Sequence, residues 1–461
     1  MIMGAEDRGT KRSRRPLAGW VALGVLAGVV LASVAWLAGT YLRERARIHA
    51  LVESLGNADP AVEEEAEVAL LQLGRMGRMI LEGIAQNSPH RADCERILEE
   101  LRNPRHSAVL GALIWLARHQ NPDGSWSPKH FTAGCTGERC CLGPGEEEFT
   151  VGLTGLSLLA FLGAGYSQLS RDVYYSTETP RRPVRFGRVA KMALQWLMSR
   201  QSPDGSLGAG TPKGMYNHAI AALALSEAYG MTASQPLRDP AQRAIDFLVA
   251  AQEPGAGWGY SAGHGRSNSS VTGWAVWALY SAELSELNFP KKAYDGVLAW
   301  YDGVTDPTTC DVGYAKGLSP DETGGSGARR TTTAQAILAR IFLRKRKTDP
   351  ALAAVPRLAG EVPEWKPARI DFTFWHFASS AVFQFDGPDG PLWKQWGDRL
   401  AGTLVPQQKR PQDGCANGSW DPEMDRWGAV GGRVYATAIN ALTLETFYRY
   451  ANVYGSAGKP K

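Results

Sequence analysis

Three cysteines fall within seven residues, as Cys135-x4-Cys140-Cys141, in a chain of 461 residues with six cysteines in all. Thiols this close can form a local disulfide between Cys135 and Cys140 or Cys141 in an oxidising compartment. With His130 they could instead hold zinc, although His-x4-Cys-x4-Cys-Cys is not the spacing of a standard finger. The disulfide is the favoured expectation, with unpaired loop thiols as the third reading. Carboxylates form a second group: Asp302, Asp306, Asp311 and Asp321 precede one apolar helical segment. A buried carboxyl there with a raised pKa could act as an acid.

A third group sits at the starts of apolar helical segments. It comprises Thr150; Tyr216, Asn217 and His218; Ser270, Thr272 and Trp274; Arg330, Thr331 and Thr332; Phe374, Trp375 and His376; and Arg433, Tyr435 and Thr437. Free N–H groups and a positive dipole end are available at helix starts. These residues suit a cavity for an apolar or extended ligand with one polar or anionic end. The alternative is that they only cap helices and fill the interior, which is the expected role of the threonines.

The elements that must position these residues announce themselves by repetition. An apolar helical segment ends in Gln and is followed by Asp-Gly or Gly-aromatic. Copies run through Trp115-Leu116, Gln120, Asp123-Gly124-Ser125-Trp126, and through Trp196-Leu197, Gln201, Asp204-Gly205. Others are Phe247-Leu248, Gln252, Gly257-Trp258; Trp300-Tyr301, Asp311-Val312-Gly313-Tyr314; and Gln407-Gln408, Asp413-Gly414, Gly418-Ser419-Trp420. Self-similarity over this distance means stacked supersecondary units. Between the turns two helix types alternate. One has a wet face: Val189, Met192, Ala193, Trp196 and Leu197 fall at helical spacing while Lys191 and Gln195 point away. Its other copies lie near 107–119, 240–251, 290–301, 350–360 and 391–406. The second is apolar or small on nearly every face, as in Val151–Ala160, Ala219–Leu225, Val271–Leu279, Thr331–Phe342, Phe372–Phe385 and Val434–Leu444. A helix without a wet face must be buried all round. Six of each kind predict an all-α fold: a closed ring of six hairpins, the (α/α)6 toroid, over 105–455. The fifth hairpin, near 350–386, lacks a good Gln and Gly-Trp turn.

These copies resemble the repeats of squalene–hopene cyclases and protein prenyltransferase β-subunits. With the amino-terminal features below, the chain resembles bacterial membrane-anchored proteins carrying prenyltransferase/squalene-oxidase-type repeats. The resemblance implies a ligand cavity at the amino ends of the inner helices, but the fold alone does not imply a chemistry. The D-x-D-D acid of the cyclases and the D-D-x-x-D motif of class I terpene synthases are absent. Prenyltransferases bind zinc through Asp, a Cys two residues on, and a later His. Asp413 and Cys415 copy the first two by spacing, but no His follows, so they are weak metal candidates. Gly134-Cys135-Thr136-Gly137-Glu138 is similar to the thioester loop of complement-type domains. It carries Glu138 where the acyl donor should be Gln, and so argues against a thioester.

Residues 17–39 carry no charge, long enough to span a hydrocarbon core of about 30 Å. Arg8, Lys11, Arg12, Arg14 and Arg15 precede the run against Glu6 and Asp7, while Arg43, Arg45 and Arg47 follow. This predicts a cytoplasmic segment 1–16, an anchor over 17–40 and an extracytoplasmic body. An uncleaved anchor is favoured over a signal peptide because no clean cleavage site follows. Residues 45–103 read as a HEAT-like helical module, with Asp59-Pro60 opening a helix. Lys plus Arg is 50 against 46 Asp plus Glu, which gives no nucleic-acid surface. The expected partners are the membrane and a lipid, isoprenoid or peptide ligand, with no cofactor. The sequence thus reads as a membrane-anchored toroid binding an apolar, isoprenoid-like or extended ligand without standard cyclase chemistry. The alternative is a terpenoid-cyclase or prenyltransferase-like enzyme with a non-standard acid or zinc site.

Overall fold

The alternation of wet-faced and wholly apolar segments becomes an alternation of outer and inner helices. The computed structural model describes residues 38–449 apart from 58, 72, 74, 136–140, 176–182, 318–324 and 345. It divides into two units at Arg102/Asn103. In the first, α1 (residues 38–54), α2 (Pro60–Leu71), α3 (Arg75–Ala85) and α4 (Arg91–Arg102) enclose their own core of Ile48, Val52, Leu70, Leu81 and Ile97. Among the described residues no helix is long and apolar enough to cross a membrane. The anchor expected over 17–40 falls, up to residue 37, outside the described residues.

The second unit is an α/α toroid. Its outer helices are α5 (Pro104–Arg118), α7 (Phe186–Arg200), α9 (Gln235–Ala250), α11 (Lys292–Val304), α13 (Val355–Gly360) and α15 (Pro391–Leu404). Its inner helices are α6 (Thr150–Gly163), α8 (Gly214–Thr232), α10 (Ser269–Leu284), α12 (Gly325–Arg344), α14 (Phe372–Asp386) and α16 (Gly428–Leu444). Each inner helix packs on the next, and α16 packs back on α6, so the ring closes. A short helix, α17 (Thr446–Arg449), follows. A two-stranded antiparallel ribbon, β1 (Tyr174–Tyr175) with β2 (Pro183–Val184), joins α6 to α7, with Tyr174 opposite Val184. The fifth outer helix is the irregular one: α13 has six residues and follows a 3-10 turn over Pro350–Ala354.

Burial follows the two sequence patterns. In α6 every residue from Gly152 to Leu162 is buried, whereas α7 buries Val189, Ala193, Trp196 and Leu197 and exposes Lys191 and Gln195. Small residues let inner helices approach: a Cβ on Gly155 would lie 3.0 Å from the Cα of Ala221 in α8. Side chains that accept an orphan N–H fix several helix starts. Asn103 accepts from His106 N, Asn268 from Val271 N and Asp371 from Phe374 N.

The recurring Gln is the bolt between hairpins. Gln120 Nε2 donates to Gly124 O in its own turn (2.9 Å) and to Val189 O in the next outer helix (3.0 Å). Gln201 bridges Gly205 O and Pro240 O, and Gln252 bridges Ala256 O and Ala293 O. Gln408 closes the circle, donating to Gly418 O (2.8 Å) and to Ala108 O of α5 (2.7 Å). The recurring Trp returns to its own outer helix: Trp126, Trp258 and Trp420 donate Nε1–H to Leu116 O, Leu248 O and Leu404 O. Gly is required in these turns. Gly124 has φ +98°, and a Cβ there would lie 2.3 Å from Met192 O.

Candidate functional site

All six inner helices contribute, near their amino ends, to one central cavity of about 320 Å³. Helix α6 supplies Gly152, Leu153 and Leu156; α8 supplies Tyr216, Asn217 and Ile220; α10 supplies Ser270 and Trp274. Thr331 and Thr332 come from α12, Thr373 from α14, and Val430, Gly431 and Tyr435 from α16, with Phe149, Lys213, Tyr260, Tyr314, Arg426 and Trp427 from the connections. The aromatic hydroxyls are organised. Tyr216 Oη donates to Ser270 Oγ (2.8 Å), the Tyr260 and Tyr314 hydroxyls bond one another, and Thr373 Oγ1 lies 2.8 Å from Tyr435 Oη. Burial raises the pKa values of Tyr216, Tyr314 and Tyr435, so these groups remain neutral donors. No Asp or Glu is among the described lining residues.

Of the residues expected at the cavity, the structure brings Tyr216, Asn217, Ser270, Trp274, Thr331, Thr332 and Tyr435 to its wall; Thr272, His218, His376, Trp375, Arg330 and Arg433 take packing or bracing positions. Thr272 Oγ1 accepts Trp258 N (3.0 Å), as Thr154 accepts Trp126 N and Thr333 accepts Val312 N. His218 stands at the same place in its hairpin: Nδ1 accepts Leu207 N (3.1 Å), and Nε2 bonds Ala244 O at 3.0 Å. Burial lowers its pKa to about 4, so it is a neutral brace. His376 is stacked with Trp277 at 5.1 Å, and burial followed by the Arg449 charge lowers it to about 3. Trp375 is buried beside Phe372 and Trp365. Arg330 pairs with Glu361 (3.1 Å) and lies over the Phe374 ring. Arg433 latches α16 to the first hairpin through Leu142 O (2.7 Å) and binds Ser419 Oγ and Asp421. The sequence reading missed Lys213, Tyr260, Tyr314, Arg426 and Trp427. Only the Gly-Trp-Gly-Tyr and Val-Gly-Tyr turns could have signalled Tyr260 and Tyr314.

The expected acids do not reach the cavity. Asp302 pairs with Arg340 and Arg344, Asp311 pairs with Arg357, and Asp306 accepts Thr308 N and Thr309 N. Asp321 lies outside the described residues. A different carboxyl pair sits behind the wall. Asp371 Oδ1 accepts Phe374 N, and Asp425 accepts Phe372 N (2.7 Å) and Trp427 N (2.8 Å). Burial raises both, and the Asp371 charge raises Asp425 further. Thr331, which lines the cavity, donates to Asp371 Oδ2 (3.4 Å), and neither carboxyl is among the described lining residues.

The cysteines gather elsewhere, at the seam between the first and last hairpins. Cys135 and Cys141 are not bonded to one another, and Cys140, the other partner expected for Cys135, lies outside the described residues. Both converge with Cys415 on His119, not on His130, whose N donates to Ser127 Oγ. Asp413, the other weak metal candidate, turns away to accept Arg410 N. Burial is the first cause of the raised Cys135 pKa, about 11; at Cys141 it is the hydrogen bond with Cys415, followed by burial.

The fold and its cavity define the class: an α/α toroid with a central, ligand-sized chamber. No family model and no curated protein sequence matches the chain. Among solved structures, an inactive variant of the α-1,6-mannanase GH76A of Salegentibacter sp. HEL1_6 with α-1,6-mannotriose matches at TM-score 0.50 and 12% identity, over 74% of this chain and 98% of that one. The unsaturated glucuronyl hydrolase of Bacillus sp. GL1 matches at TM-score 0.46 and 14% identity, over 75% and 96%. The resemblance to prenyltransferases and terpenoid cyclases drawn from the repeats is corrected here: the mannanase match, at 12% identity, is to another α/α toroid and shows the shared fold alone. The apolar, isoprenoid-like ligand and the cyclase-like alternative fall with it. The physical reason for the error is that Gln, Asp-Gly and Gly-Trp are ring-building devices. They report how hairpins are bolted and nothing of what the ring encloses.

Proposed function

We propose that the second unit binds a carbohydrate in its central cavity. The observation that carries this reading is the wall itself: beside the aliphatic Leu153, Leu156, Ile220 and Val430 it presents aromatic side chains and neutral hydroxyls from α8, α10, α12, α14 and α16 and from the connections. Sugar rings present apolar C–H faces and a rim of hydroxyls. Trp274, Trp427 and Tyr216 supply surfaces for the former, and Ser270, Thr331, Thr332, Thr373 and Asn217 supply partners for the latter. The volume is that of a small-molecule site. Lys213 and Arg426, also in the wall, favour an acidic sugar over a neutral one. The saccharide bound by the mannanase neighbour, α-1,6-mannotriose, agrees with the ligand class.

A hydrolytic reading rests on one observation, the Asp371–Asp425 pair with its raised pKa values. Glycoside hydrolysis uses two carboxyls flanking the scissile bond. Both of these are engaged with backbone N–H groups behind the wall, which favours binding over cleavage. The test is titration of the full chain with α-1,6-mannotriose and with a glucuronate-containing disaccharide, followed by tryptophan fluorescence and by product analysis. The binding reading expects a saturable signal, stronger for the uronate, lost in Trp274→Ala and retained in Asp425→Asn. No signal with either sugar overturns it. Cleavage that disappears in Asp425→Asn establishes the hydrolytic alternative.

A further inference from the structure

The last hairpin meets the first at four side chains that have no part in the cavity. His119 follows the end of α5, Cys135 and Cys141 lie in the connection from α5 to α6, and Cys415 lies in the turn between α15 and α16. His119 and Cys415 are 296 residues apart in sequence. His119 Nε2 is 3.4 Å from Cys415 Sγ, 3.5 Å from Cys141 Sγ and 3.7 Å from Cys135 Sγ. All four ligand atoms lie within 4.8 Å of one another. A tetrahedral zinc with Zn–S of about 2.3 Å and Zn–N of about 2.0 Å sets N···S near ~3.5 Å and S···S near ~3.8 Å. The three N···S separations already have that size.

The surroundings complete the site. His119 Nδ1 is 2.8 Å from Trp115 O, so the ring donates there and turns the Nε2 lone pair toward the sulfurs. A backbone carbonyl on the far ring nitrogen is the usual way a metal-bound imidazole is held. Trp115 stacks on His119 at 4.2 Å and locks its plane. Cys141 N donates to Cys135 Sγ (3.3 Å), and Arg118 Nη2 reaches Cys415 Sγ (3.6 Å); both suit sulfur carrying negative charge. Gly134 lets the loop close over the helix end, since a Cβ there would lie 2.5 Å from Arg118 O.

We propose that His119, Cys135, Cys141 and Cys415 bind one zinc ion that staples the sixth hairpin to the first and so locks the ring shut. Three thiolates and one imidazole form a soft set suited to zinc and foreign to magnesium or calcium. Four protein ligands leave no open position for a substrate, which makes the site structural. Its place at the seam, beside the Gln408–Ala108 bolt and the Arg433–Leu142 latch, states what it holds together. The saccharide reading concerns the cavity and is independent of this one.

The test is elemental analysis of the full chain, purified under reducing conditions, together with Cys415→Ser, His119→Ala and Cys140→Ser. The expected result is about one zinc per chain for the parent and for Cys140→Ser, and severalfold less for the other two. Cobalt substitution of the parent should give the intense visible bands of a tetrahedral thiolate site, which a misfolded variant cannot counterfeit. A strong chelator should remove the metal and lower the unfolding midpoint of the ring. A metal-free parent that takes up neither zinc nor cobalt overturns the proposal. So does a parent that loses its zinc equally in Cys140→Ser and Cys415→Ser.

Discussion

His218→Thr tests whether a repeat position has been read correctly. Four of the other hairpins use Thr154, Thr272, Thr333 and Thr437 to accept the backbone N–H of the turn; His218 does so through Nδ1 while Nε2–H bonds Ala244 O. An imidazolium would place a second donor against Leu207 N–H, in a site with no exposure. Its folded pKa is accordingly about 4, against an ordinary value of 6.5. The sign follows from linkage. Between these values the unfolded chain binds the proton and the folded chain does not, so stability falls as pH falls from 6.5 toward 4. At about 1.4 kcal/mol per pKa unit, this histidine removes ~2.4 kcal/mol between about pH 7 and about pH 4.5. Threonine at 218 keeps the bond to Leu207 N, loses that to Ala244 O and leaves a small void, costing about 1–3 kcal/mol at neutral pH. Urea unfolding at a series of pH values, followed by tryptophan fluorescence, measures both. Within 38–461 every Trp lies beyond Asn103, so the signal of that chain segment reports the ring. The gap between parent and variant should shrink by ~2 kcal/mol on acidification, and groups titrating in both proteins cancel in the difference. Parallel pH curves would refute the assignment of His218 as a neutral brace.

Gln408→Ala should cost about 2–4 kcal/mol, because it leaves Gly418 O and Ala108 O without their shared donor at the ring seam; unfolding midpoints set against those of the exposed-face control Gln195→Ala check it. Gly124→Ala should destabilise the ring by more than about 1 kcal/mol, since φ is +98° and the added methyl meets Met192 O, and the same denaturation assay reads it. Asp425→Asn should lower stability at neutral pH by about 1–3 kcal/mol despite removing a carboxyl from a crowded pair. Both of its oxygens accept backbone N–H bonds, from Phe372 and Trp427, and an amide NH2 must face one of those donors. An unchanged or higher melting temperature would contradict that account.

Much of the architecture was legible in the residues. The 3.6-residue pattern of Val189, Ala193, Trp196 and Leu197 against Lys191 set one helix type, and the unbroken apolar run Val151–Ala160 set the other. Alternating six of each leaves a ring as the arrangement in which both are satisfied. The weakest predicted unit, near 350–386, is where α13 shrinks to six residues. The amino ends of the inner helices were likewise the right place to look for a cavity. Which side chains face it was not legible, because a helix buried on every side gives no periodic signal to separate the lumen face from the packing face. Thus Tyr216 and Trp274 line the chamber, while His218 and Thr272, each two positions away, brace the turns.

The metal-type cluster shows the same division most sharply. Sequence spacing determined that Cys135, Cys140 and Cys141 share a loop, and it pointed to His130 as their neighbour. Only the tertiary structure brought in His119, aimed by its bond to Trp115 O, and Cys415 from the far end of the ring. Local sequence determines elements and turns because their hydrogen bonds and apolar faces are satisfied within a few residues. Partners brought together by ring closure depend on the summed rotation of six hairpins. That sum is a global quantity, and no short stretch of residues records it.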